Sequence, residues 1–280
     1  MSRSQFERLK GDGSRHFTVM ATACNHSLDF GEEGVLTTRS SLAKAGIRPV
    51  GTNEDEKGQG RGEIIETKRG RIGFIAATFG LNGKRLPEKR EYLVNRIALN
   101  QVSGTIDLGL LETQIAWCRR LRCDFIVVSL HWGLEYEFFP TSQQITLAHR
   151  IIEFGADLIL GHHPHVIQPI EHYTPKRDPH RIAPIYYSLG NLSNPFETPF
   201  MALSLLSLIE LSKGTFNGKS VTYIRKVTNI PIIQELHTGQ LSGIEFRPLL
   251  KSLDGPTAEP YRKKFVHQAK IYADLVLGKD

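Results

Sequence analysis

Three imidazoles stand within four positions in the stretch GHHPHV, residues 161–166, directly after the apolar run 156–160. Imidazole nitrogens bind zinc, iron, manganese and related cations, with the choice partly set by the other ligands. Pro164 disfavours the α region for His163 and favours an extended backbone there. In an extended chain, residues two apart point to the same side. The spacing therefore predicts that His163 and His165 converge on one cation. The plainer alternative is a polar turn in which one histidine caps a backbone carbonyl.

Three other segments also break from an apolar run into polar residues. VVSLHWGLEY carries His131 and Glu135, MATACNHSLDFG carries Asn25, His26 and Asp29, and IYYSLGN carries Ser188, Gly190 and Asn191. His131 could add a third imidazole to the pair, and Asn25 an amide oxygen. Asp29 follows His26 by three residues, where a carboxylate can orient the imidazole and raise its pKa, making His26 a candidate general acid. Against that, Asn25 could simply cap a helix and leave His26 in solvent. Glu135 reads best as a residue that holds an imidazole by hydrogen bonding, with a ligand or a base as alternatives. His162, Ser188 and Asn191 complete the set, as residues that support the ligands or touch a substrate. The remaining histidines, His149 among them, have no convergent partners in the sequence, and Cys24 reads as buried and inert.

These residues need strand ends to hold them. Residues 17–23, 72–77, 124–130, 157–160 and 182–188 read as strands. Helical patterns cover 31–45, with Gly46 as the stop, 110–120, and 141–154, with Thr141 or Ser142 as cap and Gly155 as the stop. Alternation of this kind predicts an α/β architecture with a mostly parallel core sheet, and in such sheets ligands gather beyond the carboxyl ends of the strands. Residues 51–62, GTNEDEKGQGRG, read as a flexible polar loop. Beyond residue 200 the pattern changes to consecutive strands at 201–211, 221–227 and 230–236. A closing helix over 258–277 follows, with Tyr261, Phe265, Ala269, Tyr272 and Val276 on one face. We read 1–280 as one domain: a core over 17–200, C-terminal strands over 201–250 and a helix over 257–278.

Composition narrows the classes. With 40% apolar and 23% charged residues, the 280-residue chain is ordinary for a globular protein. Its net charge of +6 favours anionic partners without selecting one. The basic residues are scattered and no nucleic-acid motif is present, so nucleic acid is not an expected partner. Three cysteines do not build a disulfide framework. No apolar run is long enough to span a bilayer and no signal peptide is visible, so the chain as written is expected in the cytoplasm.

The segments CNHSLDFGEEG, ATFGLNG, VVSLHWGLEYEFFPTSQQITLAHRIIEFGADLILGHHPHVIQPIE and IYYSLGNL, in this order and spacing, resemble the bacterial capsule-synthesis CapA family. That family is associated with poly-γ-glutamate production and belongs to the calcineurin-like metallophosphatase superfamily. The resemblance implies a four-layer αββα sandwich with a two-metal site at the strand ends. It makes Asn25, His131, His163 and His165 metal ligands, with His162 as the alternative to His163, and it makes His26 the catalytic histidine. It further implies a metal-dependent phosphoesterase-like hydrolase in capsule biosynthesis or, alternatively, a non-catalytic component that binds polyglutamate. The partners would be an anionic phosphoester or polymer and membrane-associated capsule machinery. Relatives carry a Gly-Asp strand before the Asn-His motif. Asp12, in KGDGSR, has no apolar strand leading into it, so the fold is expected to be N-terminally truncated and to lack a bridging carboxylate. Two cations about 3.5–4 Å apart need anionic ligands between them. The remaining set therefore suits a single divalent ion (Mn, Zn, Fe or Mg). If the N-terminus is incomplete, the cell surface becomes the alternative location.

Overall fold

A computed structural model describes residues 17–192, 198–237, 243–249 and 260–278. The Gly-Asp pair at Gly11 and Asp12 and the helix positions 258–259 lie outside them. The fold is α/β, and the chain divides into two compact units, residues 1–131 with 154–157, and residues 132–153 with 158–280.

The first unit begins with β1 (Val19–Ala21), α1 (Gly31–Lys44) and β2 (Arg48–Val50), the two short strands pairing in parallel. Helix α1 has Glu32 and Glu33 in its first turn and Lys44 in its last, charges that suit the helix dipole. Val35 and Leu42, seven residues apart on one stripe, are its buried positions. Helix α1 ends before Gly46, whose φ of 73° is a left-handed conformation that glycine adopts without strain. Strand β1 is shorter and more exposed than the apolar run 17–23 predicts, with Phe17 itself 43% exposed.

The polar stretch 51–62 is more ordered than a flexible loop. Thr52 bridges to Val94, and a single turn, α2 (Glu56–Gln59), is capped by the Asp55 side chain. Strands β3 (Glu63–Thr67) and β4 (Gly70–Thr78) form a hairpin, and β4 pairs in parallel with β5 (Phe125–His131) across α3 (Gly109–Arg120). The register sets Thr78, the last residue of β4, beside His131, the last of β5. Ala23, Leu28, Val35, Val50, Ala76, Leu81, Leu93 and Val94 form one buried cluster behind these strand ends. Asp157, 1% exposed, ties the unit's second segment in: its carboxylate accepts from the Ile126 backbone N–H at 2.8 Å and from Arg119 at 3.0 Å.

The second unit carries α4 (Ser142–Phe154), whose start is a reciprocal cap. Thr141 Oγ1 accepts from the Gln144 backbone N–H at 3.2 Å, and Gln144 Oε1 accepts from the Thr141 backbone N–H at 3.0 Å. Thr141, not Ser142, is therefore the cap. Strand β6 (Leu158–His162) pairs in parallel with β8 (Ala183–Tyr186), and β7 (Ile170–Tyr173) pairs antiparallel with β8. Strands β9 (Leu203–Phe216), β10 (Lys219–His237) and β11 (Gly243–Pro248) make an antiparallel sheet with β10 in the centre. The two strands predicted at 221–227 and 230–236 are one, β10, with a register shift between Ile224 and Lys226. Helix α5 (Pro260–Leu277) buries Val266, Ala269 and Ala273. Its Tyr272 hydroxyl donates to the Ile167 carbonyl, and its ring meets Phe138 and Phe200 edge to face.

Two other expectations are corrected. Cys24 is half-buried, not buried. His149 does have partners: its Nε2 lies 2.7 Å from Glu171 and its ring stacks on Tyr173 at 4.1 Å.

The other two cysteines are enclosed. Burial pushes the Cys118 thiol up to about 12 and raises that of Cys123. The thiolate is the nucleophile, so both are inert near neutral pH. We expect a mild alkylating agent to label Cys24 in the folded protein and to reach Cys118 and Cys123 only after unfolding, as read by mass spectrometry of the labelled peptides. Rapid labelling of Cys118 in the native state would contradict this packing.

Candidate functional site

The first unit gathers one cluster from three strand-end segments. Asn25 follows β1, Asn82 and Lys84 follow β4, and His131 closes β5. Because Thr78 and His131 are neighbours, the chain leaving β4 passes directly beside His131: the Phe79 backbone N–H donates to the His131 carbonyl at 2.9 Å, and the two rings stack at 6.4 Å. Asn25, 5% exposed, has its Oδ1 2.9 Å from His131 Nε2. Its amide N–H donates to Asn82 Oδ1 at 3.0 Å. With the amide nitrogen so committed, Oδ1 accepts, and the His131 Nε2–H donates. His26 is exposed, and its Nδ1 lies 2.7 Å from the Asp29 carboxylate. Lys84 closes this turn, donating to the Asp29 carbonyl at 2.8 Å. His26 thus presents Nε2 outward, with the ring angle set by Asp29.

The second unit gathers the other cluster. The extended conformation expected at His163 does not occur. Strand β6 ends at His162, and both His163 (φ 102°) and His165 (φ 63°) have positive φ. A non-glycine residue held there costs of order 1–3 kcal/mol, and such residues concentrate at functional sites. The two rings still lie near each other, 6.2 Å between centroids. A sharp bend on either side of Pro164, not strand alternation, brings them together.

Asn191, 6% exposed, fixes the second ring. Its amide nitrogen donates to the carbonyls of His165, at 2.8 Å, and Met201, at 3.0 Å. Both of those partners only accept, so the amide cannot flip. Its Oδ1 then accepts from His165 Nδ1–H at 2.7 Å. In the neutral ring this leaves the lone pair on Nε2. Glu135 Oε1 lies 3.9 Å from that nitrogen, and Tyr136 stacks on the ring at 5.7 Å. His162, at the end of β6, is held neutral by burial, which pushes its pKa down to about 4. Ser188 is buried, and its hydroxyl accepts from the Gly190 backbone N–H at 3.3 Å. Two glycines permit the close packing beneath. A Cβ at Gly161 would fall 1.9 Å from the Tyr187 carbonyl oxygen, and one at Gly190 2.3 Å from that of Leu203.

The donor chemistry suits a divalent cation. His165 donates its Nδ1–H to Asn191, the kind of contact that fixes the tautomer and ring angle of a ligating histidine. Asn25 Oδ1 and His131 Nε2 face each other across a 2.9 Å hydrogen bond. Among the described residues, no three His, Cys, Asp or Glu side chains form a metal-holding group. The donors come as pairs, His163 with His165 and His131 with the amide oxygen of Asn25. Asn82, Lys84 and Tyr136 were not singled out from the sequence. The break TFGLNGK after β4, with its Asn-Gly turn, was a fifth strand end of the same kind as the other four.

The chain is similar in sequence to known proteins. Residues 12–195 match the family described as bacterial capsule synthesis protein PGA_cap, a span that contains every residue of both clusters. The chain is 32% identical over 188 residues to the PGA biosynthesis protein CapA of Bacillus subtilis, covering 66% of this chain and 44% of that protein. It is 30% identical over 190 residues to the capsule biosynthesis protein CapA of Bacillus anthracis, covering 66% and 42%. The chain therefore spans less than half the length of these curated relatives. A solved structure of a hypothetical protein from Thermus thermophilus superposes with a TM-score of 0.41 at 14% identity, covering 82% of each chain.

Replacing Asn191 by leucine would strip two part-buried carbonyls and one imidazole N–H of their partners. We expect it to destabilise the protein by roughly 2–4 kcal/mol in a denaturant melt, since each unsatisfied buried group costs about 1–3 kcal/mol. A variant as stable as the parent would show that other contacts hold the ring.

Proposed function

The chain belongs to the bacterial capsule synthesis protein PGA_cap family, and from that premise we propose that it serves in making a poly-γ-glutamate capsule, binding a divalent cation through its paired imidazoles. The observation that supports the cation is the Asn191–His165 lock, which seats the ring proton on Nδ1, with the His163 ring 6.2 Å away between centroids on a backbone strained at both histidines. His163 and His165 would hold the ion in the second unit, and Asn25 and His131 supply a donor pair in the first. The reaction class that fits is hydrolysis of a phosphoester or a related acyl group. The ion would supply Lewis acidity toward an oxygen of the substrate. His26, with Nδ1 on Asp29, would give a proton from Nε2 to the leaving oxygen. Glu135, 3.9 Å from His165 Nε2, would stand beside the ion as a neighbouring carboxylate.

A second reading takes the chain as a non-catalytic component that binds the polymer. It is favoured by the lack, among the described residues, of a group of three His, Cys, Asp or Glu side chains, and by the net charge of +6. Among the described residues no helix is long and apolar enough to cross a membrane.

Metal content separates the two. We expect protein purified without chelators to contain a divalent ion, and the His163→Ala/His165→Ala variant to lose it. Equal content in both would remove these histidines as ligands. Metal-free protein that still binds polyglutamate, with affinity falling steeply as salt is raised, would favour the second reading.

A further inference from the structure

We infer that Tyr136 is a positioning residue for His165, bracing the face of the ring whose edge Asn191 holds; the role rests on the cation reading above. The phenol ring stacks on the imidazole at 5.7 Å between centroids, 24° from parallel, within the range in which paired aromatic rings attract. Asn191 bonds the ring at Nδ1. That bond fixes the edge, and a second ring pressed on the face limits how far the plane can rock about it.

The backbone shows that the ring is kept here at a cost. Tyr136 has φ 66°, a left-handed conformation that is rare for a bulky residue and strained for it. Seven non-glycine residues have positive φ among the described residues, and three of them, Tyr136, His163 and His165, meet at this turn. Glycine or asparagine would hold the same conformation with less strain. Burial does not account for the side chain either, since Tyr136 is 44% exposed. The stack on His165 is what the strained placement secures. The backbone is tied down at the same place. The Tyr136 N–H donates to the Pro164 carbonyl at 2.8 Å, and the Trp132 N–H donates to the His162 carbonyl at 3.0 Å. These two bonds fall on either side of His163, so residues 132–136 clamp the histidine turn. Between them Gly133 turns with φ 85°, where a Cβ would fall 2.6 Å from the Gln144 side-chain nitrogen. The same path carries the Glu135 carboxylate to 3.9 Å from His165 Nε2.

Two variants of the metal-free full-length chain test this, with Zn²⁺ titrated afterwards. Tyr136→Asn deletes the ring and suits the left-handed backbone, whereas Tyr136→Phe keeps the ring. Solvent exchange of the His165 Nδ1–H, read by nitrogen-15 NMR, should be faster in Tyr136→Asn and unchanged in Tyr136→Phe. Zinc affinity should fall about tenfold in the first, the lower end for loss of a group that orients a ligand, and hold in the second. The thermal midpoint of Tyr136→Asn should stay close to the parent's, because relief of the backbone offsets the lost packing. Parent-like exchange and zinc affinity in Tyr136→Asn would overturn the inference. So would equal losses in both variants, which would assign the effect to the hydroxyl. Loss of backbone amide protection throughout Tyr136→Asn would overturn it as well, because the ring would then serve the fold. A parent that binds no zinc would instead remove the cation reading, while the Nδ1–H comparison would still decide the role of Tyr136.

Discussion

The side-chain amide of Asn191 can face only one way, because its nitrogen lies between two carbonyl oxygens that have no proton to give. From that constraint follow the position of the proton on His165 Nδ1 and the angle at which the ring meets His163. Asn191 is itself built in from the other side. Its backbone N–H donates to Leu203, and its carbonyl accepts from the Ser204 hydroxyl and the Gln234 side chain. The sheet of β9 and β10 thus sets the imidazole. A ring held by surface contacts alone would not keep one tautomer.

The strain at His163 and His165 has a matching support. Gly161 and Gly190 let neighbouring backbone segments approach more closely than any side chain would permit. Trp132, wholly buried, braces the same region by donating its backbone N–H to His162 and its indole N–H to Tyr187. Dense packing around a bent segment is how a conformation costing a few kcal/mol is held in place. The first unit uses a lighter device. Strand register puts His131 at the end of β5 beside the exit from β4, and side-chain amides complete the arrangement near the surface.

Much of the fold was legible. Helices α1, α3 and α4 carried clear periodicity and stops, and the alternation of strand and helix gave the α/β class. Strands β2, Arg48–Val50, and β7, Ile170–Tyr173, went unseen because three or four residues of mixed polarity carry no period. Strand β10 was split because Asn229 and Pro231 look like a turn. In the ladder Asn229 faces Ser207, and Pro231 lies one residue before the stretch that β11 covers. The candidate site was legible as residue types at strand ends. Its geometry was not, since the pairs that orient it span 26 residues, from His165 to Asn191, and 57, from Asn25 to Asn82. Local rules also misled at His163, where packing overrode the preference of a residue before proline.

The most direct measurement of the central claim is the tautomer of His165 in metal-free protein, read from two-bond nitrogen–proton correlations at a pH where its ring is neutral. The account predicts the proton on Nδ1, donated to Asn191, and an Nε2 signal that shifts when Zn²⁺ is added. A proton on Nε2, or an Nε2 signal that ignores zinc, would contradict it.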